Sequence, residues 1–415
     1  MRFIHISTIV LLGAWLSACG AADDGSMSSD SGAGAEDALS GEPIKVGVLH
    51  SLSGSMAISE TTLKDTVEML VDEQNARGGL LGRPLEAVVV DPASDWPLFA
   101  EQARNLLAVE QVDVVFGCWT SVSRKSVLPV FEELNGLLFY PVQYEGEESS
   151  KNVIYTGAAP NQQAIPAIDY LMNEVGIERW VLEGTDYVYP RTTNRILEAY
   201  LRQLGVADED VSINYTPFGH SDWQTRVSEI RAFGSTGKPT AVVSTINGDA
   251  NVPFYLELAN QEVSAEDIPV VAFSVGEEEL SGLDTEPLVG HLAAWNYFQS
   301  IEGSVNSDFI ANWKQRMGAD RTTNDPMEAH YIGFNLWTKA VEQAGTTDVD
   351  AVLAALPGTE TPNLTGGIAR LLPNHHITKP VFIGEVRGDG QFDVVWQTDG
   401  GVAGDAWTDY LPVSE

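Results

Sequence analysis

Residues 112–140 read VDVVFGCWTSVSRKSVLPVFEELNGLLFY. Residues 112–116 (VDVVF) and 137–140 (LLFY) are short apolar runs of strand length. Residues 122–134 between them carry helical spacing, with Pro129 predicting a kink or a break. Upstream the same alternation appears. Strands are predicted at 44–49 (IKVGVL) and 85–90 (LEAVVV), and helices at 61–76 and 98–109, the first stopping at Gly78-Gly79. Strands that are apolar on both faces belong to a parallel sheet covered by helices. The pattern restarts after Asn161. Helices are predicted at 162–175, 192–204, 223–233 and 252–261, and strands at 179–183, 211–215, 241–245 and 270–273. A strand-like run at 291–298 carries the chain back. Helices near 308–316, 326–344 and 349–356 follow, and then 381–386 and 392–396 form a hairpin about Arg387-Gly388-Asp389-Gly390. The fold class expected is α/β, with two doubly wound parallel-sheet lobes.

The chain has 415 residues, of which 44% are apolar, enough for more than one core. Asp and Glu number 59 against 23 Lys and Arg, a net charge of −36. Nucleic-acid binding needs clustered cations to neutralise phosphates, and this balance argues against it. It argues equally against electrostatic attachment to an anionic membrane surface. Two cysteines, Cys19 and Cys118, cannot build a disulfide framework.

The N-terminus reads as an address. Arg2 precedes an apolar run to Leu16, too short to span a bilayer. It ends in Leu16-Ser17-Ala18-Cys19, which resembles the lipobox of bacterial lipoproteins, in which the cysteine is acylated and becomes the new N-terminus. A plain secretory signal is the alternative. The expectation is a signal peptide at 1–18, lipidation at Cys19 and a flexible tether at 19–43.

Ligands in open α/β sheets sit beyond the C-terminal strand ends. The loops to read therefore follow Phe116, Tyr140, Glu183, Thr245 and Phe273. The first holds Trp119 and Ser121, with Ser121 placed to cap the next helix. The second opens at Tyr140, and the third holds Asp186, Tyr187 and Tyr189. Aromatic faces can sandwich a flat ligand and a carboxylate can accept its N–H groups, although tyrosines also simply pack. Thr245 and Glu277 are further candidates at second-lobe strand ends, near Asn247 and Ser274.

GCWTSVSRKSVLPVFEELNGLLFYPVQYEGEES (117–149), YTGAAPNQQAIPAIDYL (155–171) and GTDYVYPRTTN (184–194) resemble the urea-binding receptors of bacterial urea ABC transporters. So do TNDPMEAHYIGFN (323–335), PNLTGG (362–367) and LLPNHHITKPVFIGE (371–385). These receptors are type I periplasmic binding proteins, related to branched-chain amino-acid receptors and to short-chain amide receptors. The amide receptors carry Tyr where Trp119 stands and Thr where Val142 stands, which favours the urea branch. The resemblance implies two lobes joined by three hinge crossovers, lobe 1 at 44–158 plus 294–365 and lobe 2 at 159–293 plus 366–415. It implies a pocket of Trp119, Ser121, Tyr140, Asp186, Tyr187 and Tyr189 around urea or a small amide. It also implies delivery to membrane permease subunits with a separate ATPase, attachment to the cell envelope through the N-terminal lipid, no cofactor and no catalysis. The different-class alternative is a regulatory amide sensor, against which the export signal speaks.

Three other constellations carry less. Cys118 with Lys125 and a glutamate has the composition of a nitrilase-like amidase, yet the cysteine lies in the GCWTS stretch, where the resembling receptors bind without reacting. Glu328-Ala329-His330 and His375-His376 lack metal-ligand spacing. Residues 145–148 (EGEE) are expected as a solvated acidic loop, or else as a cation site.

Overall fold

The computed structural model describes residues 39–411, residue 282 excepted. The expected signal peptide, Cys19 and the tether as far as residue 38 lie outside the described residues. Residues 40–43, expected as the end of the tether, are held to the body. Arg83 donates from Nε to the Glu42 carbonyl at 2.7 Å and from Nη2 to the Pro43 carbonyl at 3.1 Å.

Five strands form the first sheet: β1 (Ile44–Leu49), β2 (Leu85–Val90), β3 (Val114–Gly117), β4 (Leu138–Tyr140) and β5 (Val153–Tyr155). All pair in parallel, in the order β2-β1-β3-β4-β5. The order reverses at β1, and the crevice outside the strand ends there is where such sheets hold ligands. The three-residue strand β5 was not expected; its run is too short to show a period. Both faces are covered. Phe99, Val127 and Phe131 pack on one side, and Ile332, Leu336 and Trp337 of helix Asp325–Ala344 on the other. This is why β1 and β3 are almost wholly apolar.

The second sheet contains β6 (Arg179–Thr185), β7 (Val211–Thr216), β8 (Thr240–Thr245), β9 (Val270–Ala272) and β10 (Leu292–Trp295), all parallel. Strands Phe382–Val386 and Phe392–Gln397 extend it as the expected hairpin, antiparallel beyond β10. Helix Ser121–Leu134 is continuous through Pro129, so of the kink or break expected there the break does not occur. The proline removes one backbone bond near the middle of a 14-residue helix whose apolar face is anchored by Val127, Val130 and Phe131.

The chain crosses between lobes after β5, after β10 and after Lys379. Two of the expected boundaries shift. β10 lies wholly in the second sheet, so the second crossing follows residue 295 instead of preceding 294. Ala369, Leu371 and Ile377 are buried in the core of the first lobe, and strand Ile368–Arg370 pairs with Glu360–Pro362 there. The third crossing therefore falls near 380, not 366. One residue ties the three crossings together. Asn296 Nδ2 donates to the carbonyls of Gln162 (2.9 Å) and Pro380 (2.6 Å).

Candidate functional site

β3 ends in Gly117, where an added Cβ would sit 2.5 Å from the Leu49 carbonyl oxygen, so only glycine lets β3 lie this close to β1. Cys118 follows at φ +67°, an uncommon backbone state for a residue with a side chain. That turn aims Trp119 at the cleft and starts helix Ser121–Leu134. Thr120, not Ser121, caps this helix, its hydroxyl accepting from Ser123 N at 3.0 Å. Ser121 is left free to turn its side chain toward the loop after β4.

That loop carries Glu145 and Glu148, both buried, so the expectation of a solvated acidic loop is corrected. Between them lies Arg124, 0% exposed. Arg124 Nε donates to Glu148 Oε1 at 2.7 Å, Nη2 to Glu145 Oε1 at 3.3 Å and to Glu148 Oε2 at 3.4 Å, and Nη1 to Ser121 Oγ at 3.1 Å. Its guanidinium carbon lies 4.7 Å from the Tyr140 ring centre and 4.6 Å from that of Tyr144. Lys125 Nζ adds a 2.7 Å bond to Glu148, and the Tyr155 hydroxyl donates to it at 3.0 Å. Burial pushes the Glu148 carboxyl up, but Arg124 and Lys125 outweigh it and bring it down to about 2. Behind the cage His376 Nδ1 faces the Asn374 carbonyl at 2.8 Å, which assigns the proton there. Nε2 then accepts from the Tyr144 hydroxyl at 2.6 Å.

These bonds decide what the first lobe can offer. The Ser121 hydroxyl donates to Glu145 Oε2, and the Tyr140 hydroxyl donates to the Trp119 carbonyl. Both oxygens keep acceptor capacity only. With the Glu145 carboxylate they form a wall of acceptors. Burial, first of all, pushes the Tyr140 hydroxyl far above the usual phenol range, so it stays protonated.

The second lobe supplies Tyr187 and Tyr189 at the start of helix Val188–Gln203, beside β6. Their rings lie 6.2 Å apart. Two bonds join the lobes across this region. Gln143 Nε2 donates to Ser274 Oγ at 2.6 Å, and Trp119 Nε1 reaches Asn247 Oδ1 at 3.4 Å. Nearby, Ser59 Oγ donates to Glu279 at 2.6 Å. Gly248, at φ +69°, sits so close to Ser55 that a Cβ would lie 2.6 Å from its carbonyl oxygen. The lobes are therefore shut on each other. The buried Tyr189 hydroxyl lies close to both Gln143 and Ser274, but neither it nor Gln143 Oε1 has a partner of good hydrogen-bond geometry among the described residues.

Trp119, Ser121, Tyr140, Tyr187 and Tyr189 thus lie together where the lobes meet. Three candidates do not join them. Asp186 is exposed and pairs with Arg191, which also holds its carboxyl below the usual range. Thr245 spends its hydroxyl on the Glu183 carbonyl within its own lobe, at 3.2 Å. Glu277 sits at the second crossing, where it accepts from Gln299 N at 2.7 Å. Sequence reasoning missed Arg124, Gln143 and Glu145 as site residues, and did not select Asn247 or Ser274. Ser121, Arg124 and Lys125 stand at i, i+3 and i+4 on one helix face, a spacing that signals a shared partner. Cys118 is buried, and burial pushes its thiol well up, so no thiolate nucleophile forms there.

The model of the family described as periplasmic binding protein domain matches residues 44–413. The chain belongs to this family of periplasmic binding proteins. A Leu/Ile/Val-binding protein of Rhizobium johnstonii is 24% identical over 78% of this chain and 86% of its own length. A periplasmic binding protein of Burkholderia mallei is 16% identical, with a TM-score of 0.76 over 88% of this chain and 96% of that one. A solute-binding protein of Rhodopseudomonas palustris, solved with 3,4-dihydroxybenzoic acid, is 17% identical, with a TM-score of 0.74 over 87% of this chain and 98% of that one. A shorter similarity, 33% over 110 residues, links the chain to a limonene hydroxylase of Geobacillus stearothermophilus, of whose length it covers 20%.

Proposed function

We propose that the protein captures urea, or a short uncharged amide such as formamide or acetamide, between its lobes and delivers it to membrane permease subunits driven by a separate ATPase. The hydrogen-bond inventory of the cleft carries this reading. Urea offers four N–H hydrogens and one acceptor oxygen. Ser121 Oγ, Tyr140 Oη, Glu145 and Gln143 Oε1 can take N–H groups, and the Tyr189 hydroxyl can donate to the oxygen. Each polar atom of a buried ligand left without a partner costs roughly 1–3 kcal/mol, so the match in kind selects the ligand.

A second reading, an amino acid or aromatic acid, has the relatives in its favour. The Rhizobium protein is named for Leu, Ile and Val, and the Rhodopseudomonas protein was solved with a benzoic acid derivative. Such ligands bring a carboxylate, which needs donors or a cation, and Arg124 is already taken by Glu145 and Glu148. Calorimetric titration separates the two. Urea or a short amide is expected to give saturable heat, and leucine and 3,4-dihydroxybenzoate none. Binding of either acid without urea or amide would end the first reading.

Lipid attachment at Cys19 belongs to the same proposal and rests on the Leu16-Ser17-Ala18-Cys19 sequence. Cys19→Ser is expected to move the protein from the membrane fraction to the soluble fraction with its body still folded. A variant that stays with membranes after a high-salt wash would refute lipidation there.

A further inference from the structure

We infer that Arg124 is a carboxylate-recognition group held out of use by its glutamate partners, and that Glu145 sets the site's preference for an uncharged ligand over an anion of the same shape. The inference rests on reading the cleft as the ligand site. A guanidinium presents a planar fork that pairs with carboxylates, and a buried one beside a binding cleft is the natural anchor for an acid. Here it is fully buried, and Tyr140 and Tyr144 fix its plane. Its donors are divided among Glu148, Glu145 and Ser121. With Lys125 also touching both glutamates, the group of two cations and two carboxylates is neutral.

Glu145 is the member that controls the cleft face. It holds Arg124 through one contact of 3.3 Å, while Glu148 holds it at 2.7 Å from behind. It also takes the Ser121 proton, so Ser121 meets the ligand as an acceptor. An anion meeting the first lobe's side of the cleft faces the Ser121, Tyr140 and Glu145 oxygens and, among the described residues, no free cation there, a repulsive element of the kind that sets specificity. Replacing Glu145 by glutamine keeps the shape and leaves the group one positive charge in excess. The Ser121 hydroxyl is then released to donate.

The experiment compares acetate with its neutral isostere acetamide, by calorimetry, on the wild-type protein and on Glu145→Gln. The wild type is expected to bind acetate at least a hundredfold more weakly than acetamide or urea. Glu145→Gln is expected to gain at least tenfold in acetate affinity and to lose in acetamide affinity. Glu148→Gln, which loosens the same guanidinium from behind, is the second variant and is expected to gain less in acetate affinity than Glu145→Gln, because Glu145 still faces the cleft and holds the Ser121 proton. Unchanged acetate affinity in variants whose thermal melts show a folded body overturns the inference. Failure of both variants to fold overturns it too, because the cage is then structural only. Urea binding by the wild type tests the function separately, since the acetate gain is read between variants whatever the natural ligand is.

Discussion

Arg124→Met is expected to destabilise the protein by about 3–5 kcal/mol at neutral pH, the usual cost of removing one partner of a buried ion pair. The substitution keeps most of the side-chain volume between Tyr140 and Tyr144, so the loss is electrostatic more than steric. Glu148 would stay buried with Lys125, itself half-exposed, as its one remaining cation, and Glu145 would share that same lysine. The Glu148 carboxyl, which burial pushes up and Arg124 holds down, would then take up a proton more readily, and the gap to the wild type should narrow as the pH falls from neutrality. Denaturant midpoints of the two proteins at pH 7 and pH 5 measure both effects. A loss below about 1 kcal/mol would mean that the cage contributes little to the fold.

Stability is also expected to peak on the acid side of neutrality. Burial pushes the Glu277 carboxyl up to about 8 and that of Glu328 up to about 7, Lys379 offsetting only part of it at Glu328; the ordinary value is 4.5. Between 4.5 and 8 the folded protein holds more protons than the unfolded chain, so stability falls as the pH rises through that window. Glu60, Glu279 and Asp325 are raised by burial in the same sense. Burial lowers His291 and His376 to about 4 from 6.5. There the unfolded chain holds more protons, and stability falls as the pH drops from 6.5 to 4. Glu148, brought down to about 2, adds to this loss below 4.5. The opposing slopes meet between 4.5 and 6.5, and above 6.5 the carboxyls act alone. One proton is worth about 1.4 kcal/mol per pH unit, so the two glutamates should cost about 2–3 kcal/mol between pH 6.5 and 8. A denaturant midpoint at pH 8.5 equal to or above that at pH 5.5 would contradict this.

Asp186 shows why part of the site was not legible. It stands between Thr185 and Tyr187, both of which face inward. The backbone there is extended, with Tyr187 at φ −157°, so neighbouring side chains point to opposite sides. Membership of the right loop does not by itself put a residue in the pocket. Its partner Arg191 stands five residues on, in the first turn of helix Val188–Gln203. Glu145 and Glu148 were misread for the opposite reason. Charged residues are almost never fully buried unless paired, and their pair lies 21 to 24 residues upstream on another element.

The sequence by itself determined the longer strands and helices of both lobes, though not short strands such as β5 or Ile368–Arg370, because apolar runs and helical periods are local but three residues show no period. It determined the strand-end loops that carry Trp119, Ser121, Tyr140, Tyr187 and Tyr189, because a parallel sheet sends all its C-terminal ends to one side. Only the tertiary structure decided which atoms in those loops remain able to bind. The proton of Ser121 is given to Glu145 and that of Tyr140 to Trp119, and the positive charge of Arg124 is spent on two glutamates. Hydrogen bonds and ion pairs saturate, so what a side chain can offer a ligand depends on which neighbours have already used it, and those neighbours are set by how β3, β4 and the loop after β4 pack together.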